Sequence, residues 1–243
     1  MRGFGILFAK VGIAIGIALA IAHFFNGEVI GLTTLAILAA MNDTNGGMFL
    51  ALTSTFGSKE DAGTYVPQSV ETGPFLTMLV LVGAGLAVIP WMTMFSVIAP
   101  IIAGAILGNL DKDLRDFFGK HEPIIIPFMA FTLGQGINLQ AVTTAGLPGI
   151  ILGFSVLVIT GIVCILADRL LGGSGVAGAA ASSTAGNATG TPQAVALADP
   201  SFAAIAPLAT VQVAASVIVT AVLTPVLTAY IYRRNKKKME ASL

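Results

Sequence analysis

Charge is the scarcest commodity in this chain. Only 10% of its 243 residues are Asp, Glu, Lys or Arg, against 56% hydrophobic, and the mean hydropathy is +0.91. Soluble globular chains carry about 25% charged residues, so an ordinary soluble domain is excluded. The formal net charge is zero, which implies no nucleic-acid surface. The basic run RRNKKK at 233–238 follows an apolar segment and reads as an anchor to anionic lipid head groups. Cysteine occurs once, as Cys164, so no intramolecular disulfide can form and nothing follows about redox compartment. His23 and His121 stand at segment boundaries, and the lone Trp91 sits where an interfacial aromatic belongs. Metal-ligand spacing, a phosphate loop and a Ser/His/Asp arrangement are all missing. GAGLAV at 83–88 lacks the strand, helix and downstream acid of a dinucleotide fingerprint. No enzyme, cofactor or bound metal is therefore expected. Apolar and polar residues do not alternate regularly, which excludes a membrane β-barrel.

Long apolar runs are what the chain has in plenty. Eight segments, near 3–25, 29–53, 64–88, 91–110, 121–138, 147–171, 175–197 and 202–230, approach the roughly 20 residues that cross a hydrocarbon core. The first is too long for a signal peptide, contains Lys10 and is followed by another membrane segment. The 28 glycines and 11 prolines suit closely packed membrane helices. If the eight segments alternate, every lysine and arginine falls on one side: Arg2, Lys10, Lys59, Lys112, Arg115, Lys120, Arg169 and the tail. That side is cytoplasmic by the positive-inside rule. The expectation is an all-α integral membrane protein with both termini in the cytoplasm. The charged stretch 108–122 reads as a capped amphipathic turn at the membrane surface.

Two segments are too polar for plain spans: AAMNDTNGGMFLAL at 39–52 and AAASSTAGNATGTPQAVALA at 179–198. Interrupted apolar segments at corresponding places in two halves point to a carrier's binding site. Asp43 lies roughly 20 Å along its segment, where a carboxylate is costly unless it faces the protein interior or a wet cavity. Asn42, Thr44, Asn45, Gly46 and Gly47 add polar groups and freedom to unwind. Glu71, with Gln68, Ser69, Thr72 and Pro74 around it, reaches a similar depth in the next segment. Two acids beside a glycine break suggest a proton relay or cation site, the rival being a structural hydrogen-bond partner. The second break has no acid but offers Ser182, Ser183, Thr184, Gly186, Asn187, Thr189 and Gly190. By composition it could be a linker, although membrane segments bound it. Gln212 is expected near the level of Glu71. A third interruption at 128–140 presents Gln135 and Asn138, as a gate, a pocket wall or a glycine-capped helix end.

The runs LAAMNDTNGGMF, GSKEDAGTYVPQSVETGPFLTM, GNLDKDLRDFF, IPFMAFTLGQGINL, AAASSTAGNATGTP and APLATVQVAASVIVTAVLTP, in this order over about residues 1–232, closely resemble the 2-keto-3-deoxygluconate permease family. The resemblance implies a ten-span bacterial inner-membrane protein that takes up 2-keto-3-deoxygluconate by proton symport. It further implies a distant similarity to bile-acid and sodium symporter-type folds, with inverted five-helix repeats and two discontinuous crossing helices. By that resemblance 29–53 and 175–197 are the crossing helices. Residues 1–88 hold the core helices of the first repeat, and 89–243 the second repeat with its basic tail. About two family helices are missing at the start.

The expected fold is thus an all-α inverted-repeat transporter. Its substrate carboxylate would face half-helix N-termini at breaks marked by Gly46, Gly47, Gly186 and Gly190, so that the core needs no lysine or arginine. Asn42, Asn45, Gln135, Asn138, Thr184, Asn187 and Gln212 are the candidate substrate contacts, while Asp43 and Glu71 carry the coupling proton. The alternatives are a sodium-coupled symporter of sugar acids or organic anions, with Na⁺ in place of H⁺, and an inactive truncated permease.

Overall fold

The computed structural model describes residues 1–135 and 139–240, except the side chains of 238, 239 and most residues in 122–145. α1 (Arg2–Phe24) is one unbroken apolar helix. The chain then turns through a small hairpin, β1 (Glu28–Val29) against β2 (Leu32–Thr33). Its turn residues Ile30 and Gly31 both take positive φ. The Thr33 hydroxyl caps α2 (Thr34–Met41) by accepting from the Ala36 N–H at 3.1 Å. All of α2 is buried, the position open to a helix that is apolar on every face. The chain leaves the helix at 42–45 and resumes it as α3 (Gly46–Phe56).

Ser58 and Asp61 form a capping box at the start of α4 (Lys59–Gly63). The segment expected to cross as one unit at 64–88 is itself interrupted. α5 (Tyr65–Gln68) passes into a single tight turn, Ser69–Glu71, before α6 (Phe75–Gly83) begins. Pro74 lacks the N–H that would continue the ladder, and Gly73 sits at φ +89°. α7 (Trp91–Leu110) and α8 (Lys112–Gln135) follow. The charged stretch expected as a surface turn is almost all helix, hinged only at Asp111, which caps α8 by accepting from the Asp113 and Leu114 N–H groups. α9 (Leu139–Ser155) and α10 (Gly161–Leu170) are joined through one wider helical turn, Val156–Thr160. α11 (Val176–Ala180) ends at the second break. A tight turn at Gly186–Gly190 then leads into α12 (Thr191–Ala198), and α13 (Ala206–Glu240) closes the chain.

Among the described residues, four stretches are continuous and apolar enough to cross a membrane: Arg2–Phe24, Trp91–Leu110, Gly146–Leu170 and Ala206–Lys237. The segments expected at 29–53, 64–88 and 175–197 are composites of shorter helices, and 121–138 falls largely within α8. Side chains sort the bundle into two ends. At one, Arg2 binds Asp168 at 2.7 and 3.0 Å and also Asp61, Phe56 meets the Tyr232 ring, and Asn235 donates to the Ser174 carbonyl. At the other, the Val88 N–H donates to Asp199 at 2.8 Å. That bond is the chief reason the Asp199 carboxyl lies below its ordinary pKa.

The apolar core forms two main clusters. One gathers α2 with Ala14, Ala18, Met78, Leu152 and Val213; the other holds Ile6, Phe49, Leu52, Cys164 and Ala177. Buried polar residues of the two breaks lie between them. α9 and α13 approach through Gly149 and Gly153, where an added Cβ would lie 2.6 Å from Ala215 and Val219 respectively. α7, by contrast, buries none of its residues.

Candidate functional site

The two interrupted helices meet break to break. A helix that stops inside a membrane leaves carbonyls without partners, and one that starts there leaves N–H groups in the same state. Here each break answers the other. The Ala185 N–H donates to the Asp43 carbonyl at 3.0 Å, and the Asn45 N–H to Ser183 Oγ at 3.1 Å. Thr184 Oγ1 donates to the Ala40 carbonyl at 2.9 Å, in the last turn of α2. α13 supplies the remainder through a stripe of buried hydroxyls, Ser216, Thr220, Thr224 and Thr228, spaced four apart along one face. Thr220 accepts from the Thr184 N–H at 3.1 Å, and Thr224 donates to the Ser182 carbonyl at 2.7 Å. These hydroxyls do what water would do outside a membrane.

A charged cluster sits on this junction. Lys10 Nζ is fully buried. It donates to Thr44 Oγ1 at 2.5 Å, to Glu71 Oε2 at 3.3 Å and to the Ser183 carbonyl at 3.3 Å. The Thr44 hydroxyl in turn donates to Glu71 Oε2 at 2.7 Å. The interruption before α6 brings Glu71 here, and Gly73 donates its N–H to Asp43 Oδ2 at 3.2 Å. Asn187 faces the same carboxylate, yet Asp43 Oδ1 has no hydrogen-bond partner. Glu71 Oε1 and both amide atoms of Asn42 are equally buried and unpartnered. Native proteins leave few such groups, and four of them fall on three residues of this junction.

The lysine is a correction to the sequence reading. Lys10 was expected at the cytoplasmic side, with a core free of basic residues; it lies instead at the centre of the junction. A lysine this close to a helix end ordinarily extends its head group to the interface. Here its partners come from three distant segments, which local sequence does not disclose.

Other expected residues divide by what already engages them. Asp43, Asn42 and Asn187 gather at the junction. Asn45 is there too, but its side chain caps α3 by accepting from the Met48 N–H at 3.0 Å. The Thr184 hydroxyl is shared between Ala40 and Ser216 Oγ, the latter at 2.8 Å. Gln212 is tied to the hairpin end of α2, where its Nε2 donates to the Gly31 carbonyl at 2.6 Å. Gly46 starts α3 where a side chain would run into the Tyr65 hydroxyl. A Cβ at Gly47 would touch only Asn45 Oδ1, at 3.9 Å, and Gly186 faces open space; Gly186 and Gly190 bound a tight helical turn, the unwound backbone lying just before it at 183–185. Asn138 and the Gln135 side chain lie outside the described residues. The α13 hydroxyl stripe is a further part of the junction, readable in sequence only as a spacing of four.

Fold and junction together define a multi-pass helical membrane protein with a polar, charged centre between discontinuous helices. The profile of the 2-keto-3-deoxygluconate permease family matches residues 1–237, and the chain belongs to that family. It is 49% identical over 239 residues to 2-keto-3-deoxygluconate permease 1 of Salmonella typhimurium, covering 98% of this chain and 75% of the relative. It is 46% identical over 244 residues to the 2-keto-3-deoxygluconate permease of Bacillus subtilis, covering 98% and 74%. Identity to the corresponding permease of Tolumonas auensis is 48% over 216 residues, 88% of this chain and 64% of that one. No solved structure matches. Members of the family are transporters, and the chain is not an enzyme.

Proposed function

We propose that this chain takes up 2-keto-3-deoxygluconate across the bacterial inner membrane by proton symport, binding it where the two breaks meet. The carrying observation is the set of buried, unpartnered groups at that junction: both amide atoms of Asn42, Asp43 Oδ1 and Glu71 Oε1. Asn42 Nδ2 can donate to a substrate oxygen, and its Oδ1 can accept from a hydroxyl. The first-turn N–H groups of α3 and α12 face a substrate carboxylate in this reading. Asn187 completes the contacts from the second break. Thr184 and Asn45, already engaged, hold the site together, and Gln212 ties α13 to the hairpin end of α2.

The lack of any buried residue on α7 supports a division between a tightly packed core, 1–88 with 147–230, and a loosely attached α7–α8 pair. Both termini are cytoplasmic on this reading. The clustering of Arg2 with Asp61 and Asp168, and of Tyr232 with Phe56, supports that orientation. The unpartnered oxygens would also suit Na⁺, which is the second reading.

Reconstituted protein should exchange labelled 2-keto-3-deoxygluconate faster when unlabelled substrate is present on the far side, and a sodium-free inward proton gradient should drive accumulation. Absence of exchange refutes carriage of this substrate. Exchange whose accumulation follows sodium and ignores the proton gradient refutes the coupling.

A further inference from the structure

The two acids at the junction are not equivalent. Glu71 Oε2 accepts from both Lys10 Nζ and Thr44 Oγ1, at 3.3 and 2.7 Å, and Lys10 has each of its three ammonium protons directed to an oxygen. This arrangement suits a carboxylate at Glu71 paired with a cation at Lys10. Removing either charge strands the other in a site with no exposed surface. Asp43 makes no hydrogen bond to Lys10, although the charges of Lys10 and Glu71 both act on it from nearby. It holds one backbone N–H, from Gly73, and leaves Oδ1 bare.

The other described groups around Asp43 carry no free charge. Asn187 faces it from the second break. α13 presents Ser216, Thr220 and Thr224 to that break, α10 contributes the buried thiol of Cys164, and Asp168 is tied to Arg2 at the far end. Resting on the symport reading above, we infer that Lys10 and Glu71 form a fixed ion pair that positions Thr44 and the first break, that Asp43 alone carries the exchangeable proton, and that one proton therefore accompanies each monoanionic sugar acid.

Charge accounting leads to the same stoichiometry. Empty, the junction holds Lys10 positive, Glu71 negative and Asp43 negative, a sum of about minus one. Loaded with one proton on Asp43 and one sugar-acid anion, the sum is again about minus one, so the cycle moves no net charge. A second proton would have to enter on Glu71, which breaks the pair and leaves a buried ammonium without its counter-ion.

The test uses the full chain in proteoliposomes, with membrane voltage clamped by valinomycin and equal potassium. An interior one pH unit above the exterior should accumulate 2-keto-3-deoxygluconate about tenfold, the ratio for one proton. Two protons would give about a hundredfold, which overturns the inference. The pair variant K10M/E71Q, which deletes both charges together, should transport more slowly, because both residues hold the first break, yet the accumulation ratio it finally reaches should stay near tenfold, because that ratio is set by the proton on Asp43 alone. D43N should fall to equal concentrations on the two sides while still exchanging substrate. Loss of proton-driven accumulation by the pair variant with exchange intact overturns the assignment, as does proton-driven accumulation by D43N.

Should the pair variant fail to insert, proton uptake on substrate binding to the parent in weakly buffered detergent decides. Uptake that peaks, as pH is varied, between about a half and one proton per substrate and is abolished in D43N supports the inference; a peak above one, or uptake that survives in D43N, overturns it. Absence of exchange by the parent refutes the transport reading itself, an outcome distinct from all of these.

Discussion

Replacing Thr184 by valine should loosen the junction by a calculable amount. The Thr184 hydroxyl is fully buried and donates to the Ala40 carbonyl at 2.9 Å while sharing a 2.8 Å bond with Ser216. α2 stops at Met41, so Ala40 has no helical partner four residues on. Valine keeps nearly the same volume, which makes any cavity term small. A stranded buried acceptor costs about 1–3 kcal/mol in proteins generally, whereas hydrogen bonds between membrane helices average about 0.6 kcal/mol and reach about 1.7. Complete burial argues for the upper part of the membrane range, about 1.5 kcal/mol. For a chain of this size that corresponds to a midpoint lowered by about 3–6 °C.

The protein carries its own reporter. Cys164 is its single cysteine and is fully buried, so a thiol-reactive dye in detergent reads unfolding directly. Thr184→Ser keeps the hydroxyl and should stay within about 0.5 kcal/mol of the parent. Ser216→Ala combined with Thr184→Val should be less than additive, since the two side chains share one bond. A Thr184→Val midpoint within about 1 °C of the parent would show that the two breaks do not depend on this tie.

Gly178 tests how closely α11 must approach α10. A Cβ there would lie 2.5 Å from the Cys164 carbonyl carbon and 2.6 Å from Ile165 Cα, backbone atoms that no rotamer change can clear. Gly178→Ala should therefore cost at least about 1–3 kcal/mol, while Gly16→Ala, which points into open space on α1, should be neutral or gain up to about 1 kcal/mol. Equal midpoints for the two in the same dye assay would refute the close contact. In a Cys164-free background, a membrane-impermeant thiol reagent applied outside should label cysteine at Val88 and spare cysteine at Lys59; the reverse pattern would invert the topology.

How much of this was legible depends on whether the signal is local. The breaks at 42–45 and 182–190 announce themselves because Asn, Gly, Ser and Thr crowd into otherwise apolar runs. The interruption before α6 was half visible. Pro74 and Gly73 signal a stop, but an apolar stretch of membrane length argued the other way. Lys10 was misread because burial of a lysine is decided by partners 34, 61 and 173 positions away. The Gln212 bond to Gly31 was not legible, because counting along α13 cannot show that the hairpin at 28–33 meets it. The hydroxyl stripe on α13 stands plainly in the sequence. Hydroxyls are tolerated widely in membrane helices, however, so the spacing gains meaning only once the breaks lie beside it.

A junction that satisfies most of its polar groups internally restricts what it can recognise. After the backbone ties and the Lys10–Glu71 contacts, what remains free is the Asn42 amide, Asp43 Oδ1 and Glu71 Oε1. With the Thr191 hydroxyl at the start of α12, also buried and unpartnered, that set contains two donor groups and several acceptors, two of them on carboxylates. An ionised Asp43 about 5 Å from a bound carboxylate would repel it by about 3 kcal/mol at an effective dielectric of about 20. That is roughly two decades of affinity. Protonating Asp43 removes the repulsion and adds a donor, which an anionic, hydroxylated substrate requires. By linkage the substrate must then raise the proton affinity of Asp43 by the same factor. On the proposed reading, repulsion between two adjacent negative charges is enough to make proton and substrate binding interdependent, and the fixed Lys10–Glu71 pair keeps that dependence on a single carboxylate.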